Sequence, residues 1–489
     1  MRKFPRQYLI TTEEVSNSKG VIESGSIGDY TIYSSELLPV TTESNSREIG
    51  IVGSIFDPKQ PTYTNRDIAA KLASHTHLDT LLTELQRYAG RYVIITSNNE
   101  NTVIIPDASC RRRILYTDDF NTITSSPKLF LHAFRKEHSI DPDVDAFISS
   151  REFDTGTRKL LGTATLDSRL SQLLPNHYLN CSKTSVLRRP LTIPDLEDDD
   201  ASTMIFEILQ GTLRAINNRY REVSLGVTAG WDSRLLLAAA LYIKDDISFY
   251  TFLRLEDIDN SDVKIPVQLS QELDFTHELI SSRSLDDEFN KAVENNYIKF
   301  RSEGVAESSQ YRYYNQNGQN ADINGKIGEV IRSYYSIPET TETNPKSLAA
   351  IMGYKEEQIV IDAMHNWHPD ASKYSDEYGI DLLDLLYWEQ KVGNWAARIS
   401  YEKDIATEEL SPFNSIDLLL AGLSTERESR SGPNYQLCQD IISHSDKIST
   451  EIPINPCNSK LDEIKQVGNR LAQDYKSVAI AKKIYIQFN

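Results

Sequence analysis

Cysteine is scarce in this chain. It has four cysteines among 489 residues, and no two of them form a C-x-x-C pair. A structural zinc site or a disulfide framework needs cysteines at short, regular spacings. The spacing therefore argues against both and predicts a protein of the reducing cytoplasm. The four residues are Cys110, Cys181, Cys438 and Cys457.

Long apolar runs are also missing. The chain has no uninterrupted apolar stretch of about 18 residues, the length that a membrane-spanning helix needs. Residues 1–15 include basic residues but lack the apolar region of a signal peptide. We therefore expect a cytoplasmic protein with no membrane partner.

Signatures of several enzyme classes are absent. The chain has no G-x-S-x-G motif, which argues against an α/β-hydrolase, and no H-E-x-x-H metal motif. The loop at 228–233 is neither a Walker loop nor a G-x-G-x-x-G dinucleotide loop. Histidines are dispersed, and His75 and His77 are interpreted as a surface pair.

Negative charge dominates the composition. The formal net charge is −19 at pH 7, and such a field repels nucleic acid, so no nucleic-acid partner is expected. The basic clusters 111–113 and 188–189 are interpreted as solvated or ion-paired. The acidic run 197–200 is interpreted as a solvated linker. Together with two prolines just before it, this run divides the chain into predicted domains at 1–195 and 196–489.

The two predicted domains differ in their pattern of elements. In the first, strands are predicted within 30–40, 47–57, 90–96, 102–107 and 113–117, and helices at 66–88 and 127–136. From 201 onward, strands at 223–227, 247–253 and 276–281 alternate with helices, and the chain beyond about 340 is mainly helical. We expect an α+β domain followed by an α/β domain with a doubly wound parallel sheet.

The most informative segment is the loop after the strand at 223–227. Small and hydroxylated residues there lead directly into an apolar helix, whose free N–H groups and positive dipole end face the loop. This arrangement favours phosphate or pyrophosphate binding. The alternative is an ordinary turn capped by Asp or Ser. The predicted nucleotide-binding residues are Val227, Thr228, Ala229, Gly230, Trp231, Asp232 and Ser233, with Thr251 and Phe252 at the tip of the next strand.

A second motif lies at 321–335. Asn324 and Gly325 form a turn, and Lys326, Gly328 and Glu329 follow. A small turn with one carboxylate suits Mg²⁺ and phosphate, because Mg²⁺ commonly takes one or two carboxylates plus phosphate oxygens. The alternative is a loop with a helix-capping glutamate.

The loop at 228–233 resembles the S-G-G-x-D-S pyrophosphate loop (PP-loop) of the N-type ATP pyrophosphatases. With the second motif, it resembles the synthetase domain of the class B asparagine synthetase family, whose G-x-G-x-D-E-x-x-x-G-Y segment follows at a similar distance. Asp262 and the segment 411–415 also match the family's order, and residues 452–456 end this synthetase-like region. The chain departs from the family pattern at Gly328, Arg332, Asn414 and Ser415.

The first domain resembles the sandwich of class II, Ntn-type, glutamine amidotransferases, through residues 90–93, 106–110, 114–116 and 174–179. The family's glutaminase needs a cysteine directly after the initiator methionine. Here Arg2 follows Met1, and the first cysteine is Cys110. We therefore expect a degenerate domain without glutaminase activity, in which Cys110 is structural.

The aromatic and charged segment 388–404 allows two interpretations. Its residues fall at helical spacings, which predicts a buried helix. The resemblance to β-lactam synthetases and peptide cyclases implies instead that Tyr401 and Glu402 act as a catalytic base pair facing the acceptor pocket.

The resemblance implies an ATP-dependent, AMP-forming amide ligase. Asp232 and Glu329 would hold Mg²⁺, and Lys326 would add a point charge. The substrate would be a small molecule or peptide with a carboxylate and an amine, as in lasso-peptide cyclases, with a peptide-delivering protein as a further expected partner. Amidation with free ammonia and a non-catalytic nucleotide-binding protein are the alternatives.

Overall fold

The computed structural model describes residues 3–98, 101–155, 158–196, 198–253, 260–281, 284–299, 303–315, 320–335, 342–445, 448 and 452–456. Glu197 and Cys457 therefore lie outside the described residues. No helix in these ranges is both long and apolar enough to cross a bilayer.

Twelve strands up to Arg188 form two antiparallel six-stranded sheets. One has the order β10-β8-β9-β1-β3-β2 and the other β12-β11-β7-β6-β5-β4. The strands are β1 Tyr8–Thr11, β2 Ile22–Ile27, β3 Tyr30–Ser34, β4 Val40–Ser44, β5 Glu48–Phe56, β6 Ala89–Ser97, β7 Thr102–Pro106, β8 Leu115–Tyr116, β9 Thr122–Thr124, β10 Ser171–Gln172, β11 His177–Asn180 and β12 Ser185–Arg188.

The two sheets pack face to face. Ile10 and Ile32 of one sheet and Val52 and Ile95 of the other share a buried cluster. Because strand side chains alternate between faces, the neighbouring residues form the outer layers. There, α1 (Asn65–Ala73) and α2 (Leu78–Glu84) cover the second sheet, and α3 (Pro127–Ala133) covers the first. The result is a helix–sheet–sheet–helix sandwich, which agrees with the α+β prediction.

The helix predicted at 66–88 is divided in two. A capping box between Thr64 and Asp67 starts α1, which ends at Ala73. His75 and His77 lie in the link before α2, rather than within a helix as predicted. Continuous apolar spacing therefore predicted one helix where the chain makes two.

The second part of the chain contains a five-stranded sheet in which every pairing is parallel, with the order β15-β14-β13-β16-β17. This confirms the predicted parallel sheet. β13 comes first in the chain among these strands and lies at the centre of the sheet, so the connections leave it on both sides. In a doubly wound sheet of this kind, a crevice forms at the carboxyl end of the central strand. The strands are β13 Glu222–Gly226, β14 Ser248–Leu253, β15 His277–Ser281, β16 Asn320–Ile323 and β17 Glu408–Leu410.

Helices surround this sheet and make up most of the described chain beyond 342. The acidic run was predicted to be a linker, but Asp198, Asp199 and Asp200 form the first turn of α6. Carboxylates are favourable there because they face the positive end of the helix dipole. The helices are α4 Pro142–Ile148, α5 Arg151–Thr155, α6 Asp198–Arg219, α7 Trp231–Ala240, α8 Ser261–Leu273, α9 Asp287–Asn296, α10 Glu303–Asn315, α11 Pro345–Ile351, α12 Gln358–Tyr378, α13 Leu382–Leu386, a π-helix Tyr387–Ala396, α14 Ala397–Lys403, α15 Ile416–Leu423, α16 Arg427–Arg430 and α17 Gln436–Ser443.

Buried ion pairs join the sandwich to the parallel sheet. Arg91 of β6 forms a two-bond fork with Asp404, at 2.6 and 2.8 Å. Arg112 contacts Glu408 at 2.5 Å. The basic cluster 111–113 is therefore buried, and its members Arg111 and Arg112 are ion-paired, which is one of the two interpretations made from the sequence.

We predict that Arg91→Met lowers the free energy of unfolding by about 3 kcal/mol or more, because it leaves Asp404 buried without its main partner. Urea unfolding followed by circular dichroism measures this change. The control is Arg66→Met, since the Arg66 side chain is 80% exposed in its ion pair with Glu43 and should cost less than about 1 kcal/mol. Equal effects of the two variants would contradict the prediction.

Candidate functional site

Three loops meet at the carboxyl edge of the parallel sheet. They follow β13, β16 and β17 and comprise residues 227–230, 324–327 and 411–415. The N–H of Asn324 donates to the carbonyl of Leu410 at 3.1 Å. The Ser411 hydroxyl donates to the carbonyl of Lys326 at 2.7 Å. The fold therefore places both sequence motifs at one edge of the sheet.

The first loop directs its N–H groups toward side-chain oxygens. The N–H of Thr228 donates to Ser233 Oγ at 3.1 Å, and that of Gly230 to Thr228 Oγ1 at 3.2 Å. The N–H of Ala229 donates to Asp262 Oδ1 at 3.0 Å. Gly230 is the N-cap of α7. A phosphate at this helix end would have to replace these side-chain oxygens as the acceptor of the loop N–H groups.

The tip of β14 contacts this loop. The Thr251 hydroxyl donates to the carbonyl of Val227 at 2.7 Å, and the N–H of Val227 donates to the carbonyl of Tyr250 at 2.9 Å. Phe252 packs edge-on against Tyr311. Thr251 thus lies against the loop, while the Phe252 ring lies in an aromatic cluster beside it.

A distant segment covers the other side of the loop. The N–H of Asn455 donates to the carbonyl of Ala229 at 2.9 Å. Arg234 of α7 holds the same segment through the carbonyls of Ile452 and Pro453, at 3.3 and 3.2 Å. The Trp231 ring lies 5.4 Å from that of Tyr435. The sequence indicated only that residues 452–456 end the synthetase-like region.

Two glycines of the second motif pack against Asp232. A Cβ atom at Gly325 would lie 2.5 Å from Asp232 Cβ, and one at Gly328 would lie 2.6 Å from Asp232 Oδ1. A Cβ at Gly328 would also come within 3.1 Å of Phe413. These contacts give a physical reason for the departure at Gly328, because a carboxylate side chain would collide with Asp232 here.

Asp232 forms a two-bond fork with Arg332. Nε of Arg332 donates to Oδ1 at 3.0 Å and Nη2 to Oδ2 at 2.8 Å. Burial raises the pKa of Asp232 to about 6; Arg332 lowers it and the nearby Glu329 raises it. Arg332 was identified from the sequence only as a departure from the family pattern, and the structure shows its partner.

Glu329 is the second carboxylate of the site. It accepts a hydrogen bond from the Tyr387 hydroxyl, and its Oε1 lies 4.0 Å from Arg332 Nη2. Tyr334 stacks on Tyr387 at 4.4 Å, and Lys391 Nζ lies 3.5 Å from the Tyr334 ring centroid. The π-helix thus gives the site an aromatic and cationic wall. No sequence motif indicated Tyr387, because only the packing of this helix brings it to Glu329.

Lys326 points toward the edge strand. Its Nζ donates to Glu409 Oε1 at 2.8 Å. Burial lowers the pKa of Lys326 to about 7; Glu409 opposes this shift, and Lys403 and Arg111 add to it. The amine is therefore close to half-charged near neutral pH.

Tyr401 and Glu402 lie in other surroundings. The Tyr401 hydroxyl shares a hydrogen bond of 2.8 Å with Ser126 of the sandwich, and Arg113 lies over its ring. Glu402 is buried and accepts from Arg398 on its own helix at 3.1 Å. These contacts agree with the buried-helix interpretation of the segment, and the base role of this pair stays a prediction.

A protein-held Mg²⁺ does not fit Asp232 as the side chains stand. Both carboxylate oxygens bond to Arg332, and a divalent ion added there would be repelled by the guanidinium. Within the described ranges, no group of three or more His, Cys, Asp or Glu residues could hold a metal. Metal binding by Asp232 and Glu329 stays a prediction that requires Arg332 to move.

Comparisons with known proteins give only weak likenesses. No family model matches the chain, and no curated protein matches it in sequence. Among solved structures, the NH3-dependent NAD synthetase from Campylobacter jejuni subsp. jejuni matches with 12% identity and a TM-score of 0.22, over 40% of this chain and 95% of that one.

Two other solved structures match at a similar level. The glutamine-dependent NAD synthetase from Acinetobacter baumannii matches with 15% identity and a TM-score of 0.20, and the match spans about a third of each chain, 32%. The glutamine PRPP amidotransferase from B. subtilis matches with 10% identity and a TM-score of 0.22, over 68% of this chain and 72% of that one. Because these scores are low, the function is inferred from the geometry of the site itself.

We predict that Gly328→Ala destabilises the protein by about 1–3 kcal/mol, because the added methyl group displaces Asp232 from Arg332. The double variant Asp232→Ala/Gly328→Ala provides the control, since it removes the group that the methyl meets. In the Asp232→Ala background, the cost of Gly328→Ala should fall by about 1 kcal/mol. Additive effects in urea unfolding would show that this contact does not restrict residue 328.

Proposed function

We propose that this chain is an ATP-dependent, AMP-forming amide ligase. The observation that carries the proposal is the contact between its two motifs. The small-residue loop opens α7 at the carboxyl end of the central strand, and Gly325 and Gly328 pack directly on Asp232 of that helix. Such crevices are where ligands bind in doubly wound sheets.

The proposed reaction has two steps. A substrate carboxylate oxygen attacks the α-phosphorus of ATP, and the bond from this phosphorus to the oxygen bridging to the β-phosphorus breaks, so that pyrophosphate leaves. An amine nitrogen then attacks the acyl carbon of the adenylate. The carbon–oxygen bond to AMP breaks, the amide forms, and one proton passes from nitrogen to solvent.

The loop stabilises the leaving pyrophosphate in this proposal. Thr228, Gly230 and Ser233 offer N–H groups and hydroxyls, and α7 adds the positive end of its dipole. Phosphate oxygens would replace the side-chain oxygens that now accept from the loop. Preorganised donors of this kind act where negative charge develops in the transition state.

The acceptor amine comes from a substrate rather than from glutamine in this proposal. Within the described ranges the cysteines are Cys110, Cys181 and Cys438. Burial raises the thiol pKa of each, well above the ordinary value for Cys110, to about 11 for Cys181 and to about 12 for Cys438. Such thiols are poor nucleophiles. A small molecule or peptide that carries the amine would contact the wall formed by Tyr334, Tyr387 and Lys391.

A non-catalytic nucleotide-binding protein is the second candidate. The fork between Arg332 and Asp232 and the internally bonded loop N–H groups favour it, because both must rearrange before phosphate chemistry can occur. Nucleotide binding without turnover would separate this candidate from the ligase.

We predict that Ser233→Ala lowers pyrophosphate release from ATP by about 100-fold, because it removes a hydroxyl that bonds to Thr228 and so holds the loop proposed to bind the leaving group. Release is measured with Mg²⁺ against pools of amino acids, amines and peptides. The control is Ser424→Ala, whose hydroxyl bonds only to the carbonyl of Ala421 among the contacts described here. Substrate-stimulated release that survives Ser233→Ala would count against the proposed role of the loop.

We also predict a pH dependence from Lys326. With its pKa lowered to about 7, this side chain carries its charge below pH 7 and loses it above. Pyrophosphate release should therefore fall as pH rises through 7. Lys326→Arg keeps its charge to high pH, so its profile should stay flat there. Parallel profiles of the two proteins would exclude a role for this charge.

A further inference from the structure

One nitrogen of Arg332 lies beside both carboxylates of the site. Nη2 is 2.8 Å from Asp232 Oδ2 and 4.0 Å from Glu329 Oε1. A single positive group next to two carboxylates occupies the position that a bridging metal ion takes in many phosphate-binding sites. Two hydrogen bonds to Asp232 orient the guanidinium, and its Cζ atom lies 5.8 Å from the Tyr435 ring centroid.

Among the residues that the structure describes, no third carboxylate, histidine or cysteine joins Asp232 and Glu329 in a group that could hold a metal ion. Gly325 and Gly328 lie directly against Asp232, and any side chain at position 328 would meet its carboxylate and Phe413. Resting on the proposed function, we infer that Arg332 replaces a protein-held metal ion and binds the leaving pyrophosphate directly. Magnesium then enters on the phosphates of ATP and not on Asp232.

The donor geometry of Arg332 supports this role. A guanidinium carries five N–H donors, and the fork with Asp232 uses one on Nε and one on Nη2. Nη1 takes part in none of the hydrogen bonds found among the described residues. The side chain is 12% exposed, so a ligand can reach it. Arginine also binds phosphate in a two-bond geometry that lysine cannot reproduce.

Asp232 becomes a positioning residue in this arrangement. It orients the guanidinium and does not touch the metal. Glu329 accepts a hydrogen bond from Tyr387, so both carboxylates of the site have hydrogen-bond donors before any nucleotide enters.

The test uses inorganic pyrophosphate as the probe and calorimetry on the full chain. In EDTA, the wild type should bind pyrophosphate, and Arg332→Met should bind at least about tenfold more weakly because a charge-assisted contact is lost. Arg332→Lys, which keeps the charge without the fork, should fall between them. Arg427→Met is the matched control, since Arg427 pairs with Asp381 and contacts the carbonyl of Tyr335. Its affinity should equal that of the wild type.

A second measurement distinguishes the loss of the Arg332 charge from a loss of folding. Binding of Mn²⁺ without nucleotide is measured by electron paramagnetic resonance. The wild type should not bind Mn²⁺ at this site. Arg332→Met should bind it, because Asp232 and Glu329 lose the neighbouring cation. The double variant Asp232→Asn/Arg332→Met removes the charges of both members of the fork and keeps Glu329 as the one carboxylate of the pair. It should remain folded and should bind neither Mn²⁺ nor pyrophosphate in EDTA.

Two results would overturn the inference, and they differ in whether the proposed ligase function also fails. In the first, the wild type binds Mn²⁺ through Asp232 and binds pyrophosphate only when metal is present, and Arg332→Met does not change its affinity for pyrophosphate. The inference then fails while the ligase proposal stands. If neither ATP nor pyrophosphate binds with or without Mg²⁺, both fail.

Discussion

The arrangement of this molecule depends on Glu409, a fully buried carboxylate on the edge strand of the parallel sheet. It accepts from Arg111 of the sandwich at 2.8 Å and from Lys326 of the second motif at 2.8 Å, and Lys403 lies 2.6 Å away. A buried charge without partners costs several kcal/mol, so these groups must assemble together. The sandwich thus fixes a loop of the candidate site. This coupling makes the sandwich part of the support of the candidate site, whatever chemistry the sandwich itself performs.

Steric constraint defines the centre of the site. Asp232 stands against two glycines that can carry no side chain, and this contact fixes the distance between the PP-loop-like segment and the second motif. This packing also limits the negative charge of the site, because a second carboxylate at position 328 would collide with Asp232. The guanidinium of Arg332 supplies the compensating positive charge from four residues further along the chain. Gly328 and Arg332, two positions at which the chain departs from the pattern that it resembles, thus both lie against Asp232.

Electrostatics distinguishes the two ends of the crevice. Near the loop, N–H groups and a helix dipole favour an anion, whereas Glu329 and Tyr387 form a hydrogen-bonded pair beside an aromatic and cationic wall. A nucleotide phosphate and an acceptor substrate would therefore meet different chemistry. Lys326 belongs to the second motif, and through Glu409 it links this motif to the sandwich. Its burial in this assembly lowers its pKa.

The sequence by itself determined the parallel sheet, the loop after its central strand and the order of the two motifs, because strand periodicity, small turn residues and helix starts are local properties of neighbouring residues. It also identified Thr251 beside the loop through strand order alone. It did not indicate that Tyr387 would reach Glu329, that Arg332 would bind Asp232, or that Tyr401 would contact Ser126. Those pairings join residues far apart in the chain, and only tertiary packing decides them, because it sets which face of a helix meets which loop.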